Sequence, residues 1–128
     1  MAGVVIDTSV WIDYLAGAKI QSVDNAVNDD AAVIPPLVVA ELVTGALTSA
    51  MREAIGELLQ EVLVHETPLE HWIDVGILRG SLARKGVNVS VPDAHVAQCA
   101  LDLDAVLLTT DGIFGSIAKH APLRLAHI

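Results

Sequence analysis

The stretch VVIDTSVWIDYL, residues 4–15, decides how the rest of the chain is read. Val4, Val5 and Ile6 run without transition into Asp7. Thr8 and Ser9 follow, and Trp11, Tyr14 and Leu15 then recur at helical spacing. A β-branched run of this length reads as a short buried strand, and the pattern after it as a helix. An acid at such a junction has two explanations. It caps the helix that follows, or it is part of a metal site.

The same alternation continues along the chain. AAVI (31–34) reads as a second strand, and Pro35-Pro36 opens the next helix, with Pro36 in its first turn. A helix over about 49–60 and a strand VLVHE (62–66) follow. Leu69, Trp72, Ile73, Gly76, Ile77, Gly80 and Ala83 mark a long helix ending near Gly86. A further helix runs from about Pro92 through Ala100, AVLLT (105–109) is the clearest buried strand, a short helix follows Asp111, and LRLA (123–126) is a last strand. Short apolar strands separated by helices predict an α/β fold, a parallel sheet covered on both faces. In such sheets chemistry sits at the carboxyl ends of the strands, where strand order reverses.

The 128 residues predict one domain, 1–128, with a core that needs no staples. The single Cys99 cannot form an internal disulfide, no apolar run approaches the roughly 18 residues of a membrane span, and no signal peptide is evident, so a cytoplasmic address is expected. The net charge is −9. A general nucleic-acid binder is usually basic, so this balance fits nucleic acid only if carboxylates hold metal ions that then meet the phosphates. It also suits a basic protein partner.

Four carboxylates stand out. Asp7 and Asp111 each end a predicted strand and share one sheet edge, although either alone reads as a turn or capping residue. Asp93 lies in the first turn of its helix, where an acid also complements the dipole. Glu41 has Leu37, Val38, Thr44 and Gly45 as its helical neighbours and no basic residue within ten positions. Such a carboxylate is costly to bury without a charged partner, unless it lies on an exposed stripe. Together the four can converge on one crevice and hold Mg²⁺ through oxygen ligands, and two such ions can clamp both oxygens of a phosphodiester displacement. Ser9 and Thr109 lie within hydrogen-bonding reach of such a site, or else cap locally.

With these residues in view, IDTSVWIDYL (6–15), AEL (40–42), PDAHVAQCAL (92–101) and LLTTDGIF (107–114) resemble the four signature segments of PIN-domain ribonucleases, and most closely the VapC-type toxins of bacterial toxin–antitoxin pairs. The resemblance covers essentially the whole chain. It implies a PIN-like three-layer sandwich with a central parallel sheet of about five strands. It also implies an endoribonuclease dependent on one or two Mg²⁺ or Mn²⁺ ions and leaving 5′-phosphate and 3′-hydroxyl ends. Asp7, Glu41, Asp93 and Asp111 match the acidic quartet as catalytic residues and metal ligands, with Ser9 and Thr109 as supporting polar residues. Ile113 stands where many relatives carry a further acid, which puts a second metal position in question. The implied partners are RNA and a cognate VapB-type antitoxin docking near Trp11 and Tyr14, with a homodimer, heterotetramer or larger assembly and no membrane. The alternative is an inactive PIN-like module that binds RNA or protein.

The remaining candidates are weaker. His65, His71, His95, His120 and His127 show no short paired ligand spacing, so no zinc site is expected. His95, two residues from Asp93, should point away from the acids. Arg79, Arg84 and Lys85 either touch RNA phosphates or complement a helix end. Asp13 is read as a solvated helix residue, and Asp102 and Asp104 as loop residues at the opposite sheet edge.

Overall fold

The structure, a computed structural model, describes residues 3–126 and Ile128. Five strands form one sheet in the order β3-β2-β1-β4-β5, every neighbouring pair parallel. They are β1 (Val4–Ile6), β2 (Ala32–Ile34), β3 (Leu63–Val64), β4 (Val106–Leu108) and β5 (Arg124–Ala126). The central three are almost unbroken Val, Ile and Leu, because both of their faces are covered. Val5, Ile6, Ile34, Leu107 and Leu108 are all at most 1% exposed.

Seven helices make the crossovers among the described residues: α1 (Thr8–Leu15), α2 (Gln21–Asn28), α3 (Pro36–Gly45), α4 (Ser49–Glu61), α5 (Leu69–Arg84), α6 (Val91–Leu103) and α7 (Ile113–Ala118). Their starts follow local chemistry. Asp7 caps α1 by accepting from the Thr8 N–H, Thr48 caps α4, Ser90 caps α6, and Pro36 opens α3. Gly86 ends the α5 turn at φ +82°, a conformation that favours glycine. The α5–α6 pair is the most extensive helix–helix contact, and α6 is buried nearly all round.

Two expectations from sequence are corrected, and one element is added. The strand expected over 62–66 is only two residues long. Asp102 lies in the last turn of α6 rather than in a loop. Helix α2 is an addition that the sequence signals poorly, because QSVDNAVN buries only Val23 and Ala26 and its N-cap, Ile20, makes no side-chain cap.

The chain order creates the site. From β1 it moves outward through β2 to β3, then returns to place β4 on the other side of β1. The reversal therefore falls between β1 and β4, and a crevice opens there at their carboxyl ends.

Candidate active site

Sheet register brings the first two acids to this crevice. Ile6 pairs with Leu108, and the ladder continues as the Asp7 N–H donates to the Leu108 carbonyl at 3.1 Å. The next residues, Asp7 and Thr109, therefore stand side by side. Thr109 Oγ1 donates to Asp7 Oδ2 at 2.9 Å across 102 residues of chain. The same hydroxyl accepts from the Asp111 N–H at 3.0 Å, so one buried threonine fixes the positions of two acids. Asp111 also turns its own carboxylate to the Ile113 N–H at 3.0 Å, opening α7.

Asp7 is 7% exposed. Burial, above all, holds its carboxyl above the ordinary 3.8, and the negative charges of Asp93 and Asp111 push the same way. Hydrogen bonds from Thr109 and the Thr8 N–H offset part of this. Asp7, Asp93 and Asp111 thus lie close enough to feel one another's charge. Asp93 arrives from the first turn of α6, where its N–H donates to Ser90 Oγ at 3.2 Å. Ser9 makes only a long contact, 3.5 Å, with Asp7 Oδ2.

Glu41 joins by a different route from the one expected. It is exposed, so the cost of burying it does not arise. Thr8 Oγ1 donates to Glu41 Oε1 at 2.9 Å, tying α3 to the first residue of α1. Sequence reasoning passes over Thr8, although its place directly after Asp7 marks it as within reach of the same crevice. Asp7, Asp93 and Asp111, with Glu41 held beside Thr8, would offer the hard oxygen chemistry that suits Mg²⁺ or Mn²⁺.

Trp11 does not line a groove. It is fully buried in the core, while Tyr14 is half-buried and donates to Asp24 Oδ1 at 2.6 Å. The apolar depression beside them is lined instead by Ile12, Leu15, Leu42, Gly45, Met51 and Ile55, with a volume of ≈ 80 Å³. Ile12, on the outer face of α1, is 49% exposed. Among the basic residues, Arg79 Nε donates to the Val89 carbonyl at 2.8 Å, and Arg84 sits in the last turn of α5, the dipole-complementing position.

Two of the histidines meet the cysteine in a ligand-type cluster. His71, His95 and Cys99 converge in the interior between α5 and α6, their donor atoms within 4.8 Å of one another. His95 does point away from the acids. The signal in the sequence is the spacing of His95 and Cys99, four apart and hence on one helix face. His127 lies outside the described residues.

The fold that carries this crevice is similar to that of VapBC2 from Rickettsia felis bound to a DNA fragment from its promoter (TM-score 0.84, 18% identity, covering 97% of each chain). It is equally similar to DNA-bound VapBC from Salmonella typhimurium (TM-score 0.84, 22% identity, 99% of this chain and 98% of that one). VapBC-1 from nontypeable Haemophilus influenzae shares 25% identity at a TM-score of 0.78, over 97% of this chain and 96% of that one. Residues 4–120 match the PIN domain. The chain belongs to the PIN-domain family.

Proposed function

We propose that this chain is the toxin of a toxin–antitoxin pair, a metal-dependent endoribonuclease that hydrolyses RNA phosphodiesters at the β1/β4 crevice. The observation that carries the reading is Asp7: a carboxylate held by Thr109, whose proton affinity is raised chiefly by burial and further by the charges of Asp93 and Asp111. Repelling carboxylates at a sheet edge call for a cation, and likeness to the VapBC complexes supports both the nuclease and the partner.

Asp7, Glu41, Asp93 and Asp111 would hold Mg²⁺ or Mn²⁺. When bound, the metal supplies Lewis acidity for water activation and for charge on the leaving oxygen. The chain's own residues set the geometry. Thr109 keeps Asp7 and Asp111 in register, Thr8 holds Glu41 towards them, and the Ser90 cap fixes the α6 turn that carries Asp93. An antitoxin is accommodated by the apolar depression between α1, α3 and α4, with a basic side chain directed to the acids, since a guanidinium satisfies carboxylates bidentately.

The test is cleavage of RNA by purified protein with Mg²⁺ or Mn²⁺. Activity is expected to stop with EDTA, to return when Mg²⁺ is restored, and to be lost in Asp7→Asn while the fold remains. Undiminished cleavage in EDTA, or by Asp7→Asn, would refute the reading.

A further inference from the structure

Away from the acidic edge, three ligand-type side chains meet on the seam between α5 and α6. His71 is 2% exposed and His95 and Cys99 not at all. His71 Nε2 and His95 Nδ1 are 2.7 Å apart, and Cys99 Sγ lies 4.0 Å from His95 Nδ1. Groups this polar are costly to bury unless each is directed at a partner. Here the surroundings orient them towards a common point. Asp102 Oδ2 accepts from His71 Nδ1 at 2.6 Å, which leaves the Nε2 lone pair facing His95 and Cys99. Gln98 Nε2 donates to the other Asp102 oxygen at 2.8 Å. The Trp72 ring stacks on His95 at 4.5 Å and 6°, fixing its plane. A carboxylate behind an imidazole is the usual support of a metal-ligating histidine.

We propose that His71, His95 and Cys99 bind one zinc ion, at a site separate from the carboxylate crevice. The donor set is two nitrogens and a sulfur, which suits zinc and not the hard cations of the acidic edge. Charge selects among soft metals. The two positive charges of zinc are balanced by the buried Cys99 thiolate and by the Asp102 carboxylate at the exposed end of the cluster, whereas a monovalent ion leaves the set with a net negative charge. Zinc–ligand bonds of about 2.0–2.3 Å put the donors roughly 3.3–3.6 Å apart. The two nitrogens must therefore separate by about 0.6 Å, and the sulfur must approach His95 by about 0.4 Å and His71 by up to about 1.2 Å from within the 4.8 Å that bounds the group.

On binding, the thiol proton of Cys99 leaves to solvent. The proton shared between the two imidazoles moves to His95 Nε2, which gives up its long 3.4 Å contact with the Leu37 N–H. Burial pushes the Cys99 thiol up to about 12, so the residue is a thiol until a cation displaces its proton. A surface cavity of ≈ 230 Å³ reaches the outer members of the cluster, His71 and Asp102, and is flanked by His65, Glu70 and Asp74. Once bound, zinc would clip α5 to α6, the helix that presents Asp93.

The test uses full-length protein, stripped with a chelator, dialysed and titrated with Co²⁺ and then Zn²⁺ in the absence of Mg²⁺. One equivalent of Co²⁺ is expected to give a thiolate-to-metal charge-transfer band in the near ultraviolet, displaced by Zn²⁺. Cys99→Ser is expected to lose the band, Asp102→Asn to weaken zinc binding by about 10- to 100-fold, and Asp7→Asn to bind zinc as the unchanged chain does. No stoichiometric uptake by the unchanged chain, or the same band and affinity in Cys99→Ser, overturns the proposal. Should Cys99→Ser fail to fold, labelling of Cys99 in the unchanged chain under mild denaturant decides. Slower labelling with Zn²⁺ but not with Mg²⁺ supports the site, and equal rates with both overturn it.

Discussion

Asp7 carries its charge where the chain can least accommodate it, under the sheet edge and beside two other acids. The folded carboxyl holds its proton more tightly than the unfolded chain does. Ionisation therefore destabilises the fold, an effect absent below the ordinary 3.8 and growing as pH rises through the elevated folded value. Asp7→Asn should accordingly raise Tm at neutral pH by a few degrees. The gain should shrink towards zero as the pH falls below 3.8, and thermal melts of both proteins across pH check this. Thr8 makes a second residue-scale prediction. Thr8→Val removes the hydroxyl that holds Glu41, so Mn²⁺ affinity measured calorimetrically should fall by about 3- to 10-fold, with Thr8→Ser retaining it and neither changing the fold. Of these residues, Asp7 is legible in the sequence because a β-branched run ends on it. Thr8 is not, because its partner Glu41 is 33 residues away and only the packing of α3 against α1 brings them together.

At the scale of elements, strand identity is legible where both faces are buried and blurred at the edge. β1, β2 and β4 stand out as apolar runs, whereas β3 keeps only two residues and its Leu63 is 60% exposed. In helix α1 the periodicity holds. Trp11, Tyr14 and Leu15 at helical spacing mark the packed face and leave the adjacent Ile12 off it. The fold buries the tryptophan and exposes the isoleucine. Substitutions at the two positions should therefore act differently. Trp11→Ala should cost about 3–5 kcal/mol of stability by chemical denaturation, as a core cavity rather than a lost docking contact. Ile12→Asp, on the rim of the depression shared with Leu42 and Met51, should leave cleavage by the free protein intact and weaken antitoxin binding by about 10-fold or more. Isothermal titration against the cognate antitoxin distinguishes the two effects.

For the whole molecule, the alternation of short strands and helices makes the parallel sheet legible in the sequence, and the carboxyl edge follows from it. Strand order is not legible there, since nothing local records that the chain returns across β1 to build β4. That return has a consequence for biosynthesis. Asp7 and Glu41 belong to the part of the chain made first, Asp93 and Asp111 to the part made last, and the bond from Thr109 to Asp7 spans 102 residues. A nascent chain emerging from the ribosome therefore carries two acids of the quartet and no complete crevice. On the function proposed above, the crevice would be complete only once β4 has been released and seated beside β1. The order in which the strands are made would then itself keep such a chain from cutting RNA during its own translation.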